Sequence, residues 1–231
     1  MSNNIDLFQA YKDFSNPDID ASIALYNYQA NFGLLGDSDI VNYMSLACSK
    51  QASICQYTEI HVNDFVIDFD GKRKIIKDEI DVSQLFGRNV RVKMQDHTDA
   101  TKTETNEVEV YIPEIIHVTL QDNTRLGQGY QISWNADPLN EKGVFLLLLY
   151  HPLENNTLAP QYKDPITNYL EVEDTGSYTF SKTDFPEIPD NSLITLKVMR
   201  GNFDVAEIDI TSSDLVRVFG LTESTGYLKL I

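Results

Sequence analysis

The chain has 231 residues, enough for one large all-β domain or two of ordinary size, and two is the expected count because domains cluster near about 100 to 150 residues. With 42% hydrophobic and 23% charged residues it is neither disordered by composition nor membranous, so a soluble chain with a buried core is expected. Eighteen basic residues against thirty-five acidic ones leave a net charge of −17, which repels phosphate backbones and anionic headgroups and argues against nucleic acid as a partner.

The first stretch, "MSNNIDLFQAYKDF", has neither a basic leader nor a continuous apolar core, so no signal peptide is expected. Ile5, Leu7, Phe8, Tyr11 and Phe14 recur at helical spacing as far as "SNPD", where Pro17 stops a helix. "ASIALYNYQANFGLLG" is apolar and aromatic, and stays open between helix and strand. "DSDIVNYMSLACSK" reads as a second helix: Ser38 or Asp39 can cap it, and Ile40, Val41, Met44, Ala47 and Cys48 share one face. Residues 1–56 are therefore expected as a partly helical segment packing on the domain that follows.

Cys48 and Cys55 are the only cysteines, and "CSKQASIC" has the wrong spacing for CxxC redox chemistry. A disulfide between them suits an exported protein, and two reduced core cysteines suit the cytosol. The disulfide, and with it an exported or cell-surface setting, is narrowly favoured.

From Tyr57 the apolar period changes to two. "EIHV" alternates at Ile60 and Val62, Asn63-Asp64 interrupts, and "FVIDF" resumes at Phe65, Ile67 and Phe69 before Asp70-Gly71. "EIDV", "NVRVKM", "EVEVYI" and "IIHVTL" continue the pattern, with the polar stretch 95–106 as a solvated hairpin loop. Lys72, Arg73, Lys74 and Lys77 form the one basic cluster, but Asp68, Asp70, Asp78 and Glu79 flank it, so a solvated edge or turn is expected. A small β-domain is assigned to residues 57–120.

After "QDNTRLGQG", a plausible junction, come "YQISW", "VFLLLLY", "YLEVE", "SYTF", "LITLKVM", "VAEIDI" and "GYLKLI", a run of short strands that marks a β-sandwich over 121–231. The longest clean apolar run, Val144 to Tyr150, is far shorter than the ~20 residues a spanning helix needs, so membrane insertion is not expected. As a strand it is apolar on both faces and must be covered on both. One face fits the sandwich core; another domain or a second subunit is favoured over a small-molecule pocket for the other.

"YQISWNADPLNEKGVFLLLLY", with the only tryptophan, Trp134, near the end of an early strand, and "TDFPEIPDNSLITLKV", resembling a crossover between sheets, make residues 121–231 similar to the immunoglobulin-like and fibronectin type III-like sandwiches of bacterial surface proteins. The resemblance implies use in adhesion, as spacers or as accessory domains. No Cys…Trp…Cys spacing is present, which disfavours an antibody-type domain.

Chemistry-bearing patterns are sparse. His61, His97, His117 and His151 are scattered without metal-ligand spacing, so exposed or structural histidines are expected. No GxSxG, SxxK, GxGxxG or GxxxxGK[ST] element occurs, "GQG" at 127–129 and "RGN" at 200–202 reading as turn glycines, so no catalytic residue and no cofactor is expected. Two acidic loops, Asn135 to Glu141 and Glu171 to Asp174, could bind calcium in an exported protein; solvated acidic turns are the expected reading, with no metal. A carboxylate pair for glycoside hydrolysis is set by spatial separation and is invisible in sequence.

The expected architecture is mainly β, two β-sandwich-like domains in tandem behind a partly helical N-terminal segment. The expected function is a non-catalytic binding, adhesion or structural module engaging protein or glycan, with Tyr162, Tyr169 and Tyr178 as the candidate aromatic surface. A component of an ordered bacterial protein assembly, with homo-oligomeric contacts, a hydrolase with unrecognised carboxylates and the accessory domains of an extracellular carbohydrate-active enzyme are the alternatives.

Overall fold

A computed structural model describes residues 21–34, 40–48, 59–68, 74–95, 105–122, 124–155, 164–207 and 215–231. Most of them lie in fifteen strands: β1 (Ala21–Gly33), β2 (Val41–Cys48), β3 (Glu59–Val62), β4 (Phe65–Asp68), β5 (Lys74–Ile76), β6 (Arg88–Gln95), β7 (Thr105–Ile112), β8 (Val118–Leu120), β9 (Arg125–Leu126), β10 (Gln131–Trp134), β11 (Val144–Tyr150), β12 (Ile166–Val172), β13 (Ser177–Thr179), β14 (Leu193–Glu207) and β15 (Leu215–Leu230). Among the described residues no helix is long and apolar enough to cross a membrane.

The chain forms two units, neither a single continuous stretch. The first comprises Met1–Asn27, Val41–Glu114 and Gly201–Leu221, the second Tyr28–Ile40, Ile115–Arg200 and Thr222–Ile231. Strands β1, β14 and β15 carry residues of both.

In the first unit a four-stranded sheet runs β4-β3-β6-β7. Period-two alternation builds it, because each strand buries every second side chain. Ile60 and Val62, Val90, Val92 and Met94, and Val108, Val110 and Ile112 are all buried. The two-residue link Asn63-Asp64 closes the β3–β4 hairpin, with Val62 opposite Phe65 and Asn63 at φ 51°, a left-handed conformation that asparagine tolerates. Strands β6 and β7 pair from Arg88–Ile112 to Gln95–Thr105. Segments of β14, β15 and β1 followed by β2 and β5 form the other sheet. Gly220 on β15 lacks a side chain where one would collide with Ile112 of β7.

Two expectations for this half are corrected. Residues 41–48, expected as a helix, are strand β2. Met44 and Leu46 are buried, Met44 sits opposite Ile76 and Leu46 opposite Lys74, and the Tyr43 ring lies 5.0 Å from Tyr26 of β1. Eight residues satisfy helical and strand spacing together, and cross-strand partners decide. The earlier helix candidate, Ile5 to Phe14, lies outside the described residues. "EIDV" is no strand either: Asp81 caps a 3₁₀ turn at Val82–Leu85 by accepting from Ser83 N at 3.2 Å.

The second unit has a three-stranded sheet, β13-β10-β8, and a larger one ordered β12-β11-β14-β15-β1, with β9 parallel to β15. Their inner faces share one core: Ile132 and Trp134 from the smaller sheet meet Val144, Leu146, Leu148, Ile194, Leu196, Val198 and Leu228 from the larger. Residues 180–192 carry the chain from β13 across to β14 through a 3₁₀ turn at Lys182–Asp184. Gly201, expected in a turn, lies inside β14, whose strand continues through "RGN".

On β11, Val144, Leu146, Leu148 and Tyr150 belong to the core, while Phe145 and Leu147 on the opposite face are 2% and 4% exposed. Both faces are shielded within the chain from Val144 to Leu148, and Leu149 at the far end of the outer face is half-buried. In register, Leu147 stands between Lys197 of β14 and Tyr169 of β12.

Candidate functional site

The two acidic loops that sequence puts forward for calcium meet in the second unit, and the cation between them is Arg200. Its Nε lies 2.7 Å from Asp174 Oδ2 and its Nη2 donates to Asp174 Oδ1 at 2.9 Å, both side chains being almost fully buried. Trp134 Nε1 also donates to Asp174 Oδ1, at 2.8 Å, and Asn140 Nδ2 donates to Oδ2 at 2.9 Å and to the Gly143 carbonyl at 2.7 Å. The Arg200 guanidinium further bonds the Asn135 carbonyl. This constellation locks the β10–β11 loop to the β12–β13 loop and to β14. It is a structural clamp, because its carboxylate is spent on protein donors.

The candidate binding site lies on the outer face of the larger sheet, a hollow of about 360 Å³. Strand register assembles it. Thr167, Leu149 and Thr195 form one cross-strand row over β12, β11 and β14. Alternation on β15 brings Thr225 and Tyr227 to the same hollow, and β1 supplies Tyr28. Lys197 contributes an ammonium 2.7 Å from Glu223 Oε1, and Thr225 Oγ1 donates to the same oxygen at 2.7 Å. Glu223 is fully buried, and an isolated carboxylate there would be costly; the ammonium and the hydroxyl make it tenable. His151 stands at the end of β11, where its Nδ1 accepts from Leu153 N at 3.3 Å. The surface is thus apolar in the middle, bordered by the phenols of Tyr28, Tyr150 and Tyr227, three threonine hydroxyls and His151, with a neutralised ion pair at one side and the exposed Glu154 carboxylate at the rim.

A second concavity, about 490 Å³, lies in the first unit among Asn63, Arg88, Arg91, Lys93 and Glu109. Most of its charges are paired: Arg91 reaches Glu107 at 2.9 Å and Glu109 at 3.2 Å, Lys93 reaches Glu107 at 3.4 Å, and His61 pairs with Glu59, while Arg88 and Asp64 add one charge of each sign to the lining. Exposed pairs of this kind form a solvated sheet face. Lys74, from the basic cluster, bonds the Asp68 carbonyl at 3.2 Å and approaches Glu79 at 3.8 Å.

Of the tyrosines put forward from sequence, Tyr169 is 49% exposed on β12 and Tyr178 is half-buried on β13, in the other sheet, so the two do not share a platform. Tyr178 packs edge-on to Phe180 at 5.2 Å, and its hydroxyl donates to Asp184 Oδ2 at 2.9 Å. Desolvation, and then the Asp184 carboxylate, pushes the phenol up to about 12. Tyr162, Cys55 and the side chain of Cys48 lie outside the described residues, and so does His97. Sequence reasoning missed Tyr28, Lys197, Glu223, Thr225 and Tyr227. The available signal was in "LITLKV", where Thr195 and Lys197 alternate with the core residues Ile194, Leu196 and Val198, and in "GYLKL", where Tyr227 precedes the core residues Leu228 and Leu230; Glu223 and Thr225 lie in a buried polar run, Thr222 to Thr225, that shows no such alternation. The chain matches no protein-family model and no curated protein sequence.

Proposed function

We propose that the chain is a non-catalytic binding module that engages protein or glycan through the surface of a β-sandwich. The hollow on the outer face of the larger sheet carries this reading: it is concave, largely apolar and edged by a few oriented polar groups, the usual make-up of a ligand site. We further propose that the second unit is a fibronectin type III-like sandwich. Its strand order, β13-β10-β8 against β12-β11-β14-β15, supports that likeness, as does the crossing of the chain between sheets after β13. Fold likeness supplies architecture and leaves the ligand to the site.

A glycan array and a displayed peptide library, each probed with the full chain and with Leu149→Arg, test the reading. Arginine at this half-buried position fills the hollow, so binders should be lost while the thermal transition is kept. Binders retained in full by a folded Leu149→Arg chain would sink the proposal.

A second reading, a component of an ordered assembly, is supported by sheet edges that carry exposed apolar residues: Val66 on β4 is 57% exposed and Ile75 on β5 is 46% exposed. Light scattering across concentration tests it, since a strict monomer at high concentration counts against assembly.

A further inference from the structure

We infer that the hollow of the second unit is a subsite for a neutral sugar, a mono- or disaccharide end of a glycan, seated on Tyr28 and Tyr227 and hydrogen-bonded by the Thr167, Thr195 and Thr225 hydroxyls. The inference rests on the binding-module reading and narrows it to one class of ligand. Size is the first argument. About 360 Å³ lies at the low end of the roughly 300 to 1,000 Å³ typical of small-molecule sites, whereas a stable protein interface takes on the order of 800 Å² from each partner.

Charge is the second argument. Among the described residues lining the hollow the one lysine, Lys197, is neutralised by Glu223 at 2.7 Å, the exposed Glu154 adds a carboxylate, and the chain as a whole carries −17. Phosphates, uronates and other anions therefore meet no net attraction locally and repulsion at longer range. Glu223 in turn is held by Lys197 and Thr225, which leaves Glu154 as the exposed carboxylate among the described lining residues, an acceptor for sugar hydroxyls at the rim. The kind of polar group points the same way. The Thr167 and Thr195 hydroxyls can both donate and accept, matching the hydroxyls of a sugar, while Thr225, whose proton goes to Glu223, can accept. Phenol rings present a negative face to the weakly positive C–H face of a pyranose while leaving their hydroxyls at the rim.

Saturation-transfer NMR on the full chain tests this with glucose, galactose, mannose, N-acetylglucosamine and cellobiose as neutral probes and glucuronate as the charged counterpart of glucose. At least one neutral probe should receive saturation on its ring protons with millimolar affinity. Glucuronate should receive less than glucose. Tyr227→Ala should weaken the best probe about tenfold with an unchanged thermal midpoint, and Thr195→Val keeps the test valid if Tyr227→Ala does not fold. Absence of transfer to every neutral probe, or affinity untouched by both substitutions, overturns the assignment. A peptide that shifts the hollow's amide resonances where no sugar does overturns the sugar assignment alone. Array binders indifferent to Leu149→Arg remove the binding-module reading beneath it.

Discussion

Asp174 accepts from Trp134 and Asn140 and faces the buried guanidinium of Arg200, so truncating it strands three donors at once. Asp174→Ala should therefore cost about 3 to 5 kcal/mol, the range for removing one partner of a buried ion pair, read as a drop in the urea midpoint. A loss under about 1 kcal/mol would mean that the clamp is solvated. The place of Trp134 near the end of an early strand was legible in the sequence, and its burial follows from the alternation of "QISW". The clamp was not, because nothing in "EVED" or "NADPLNE" points to an arginine 26 residues further on. Tyr178 carries a second residue-scale prediction. Its phenol ionises near 12 when folded and near 10 when unfolded, so between those values the native state holds the proton the unfolded state has lost. The contribution is fully present below pH 10 and declines as pH rises toward 12. Absorbance titration should show a phenol titrating near 12 that vanishes in Tyr178→Phe and moves down in Asp184→Asn.

The elements that alternate cleanly were legible, and the ones that failed did so for a physical reason. Strands β3, β4, β6 and β7 bury one face only, so their period of two is undiluted. In β2, Met44, Ser45 and Leu46 are all buried, which erases the alternation and leaves a spacing a helix also satisfies. Strand β11 has the same property and was still recognised, because seven apolar residues between turn signals are too short for a core helix. Its two faces yield a direct test. Leu146 lies in the sandwich core and Leu147 on the opposite face, at 0% and 4% exposure. Leu146→Ala and Leu147→Ala should each cost about 2 to 5 kcal/mol, since burial and cavity formation apply on both sides. If Leu147→Ala is nearly silent in urea denaturation while Leu146→Ala is not, the outer face is open.

At the scale of the whole molecule the decisive fact is that the units interleave in sequence. Every described residue of the sandwich core, from Ile116 to Leu230, lies C-terminal to Glu114, so a fragment of residues 115–231 keeps them all. Of the second unit it loses Tyr28–Ile40, which holds the β1 segment beside β15 and Leu34, whose N–H donates to the Tyr227 carbonyl at 2.8 Å. The complementary fragment, 1–114, loses Gly201–Leu221, and with it the stretches of β14 and β15 that precede β1 in the sheet order, the buried Val218 and Leu221, and Gly220 opposite Ile112. What remains of that sheet is β1-β2-β5 with β1 newly exposed as an edge, the geometry that invites self-association. The sandwich fragment should therefore unfold in one cooperative transition followed by Trp134 fluorescence. Fragment 1–114 should be aggregated or unfolded by circular dichroism and light scattering. Cooperative folding of 1–114 alone would show that the returning segment of β14 and β15 is dispensable to the first unit.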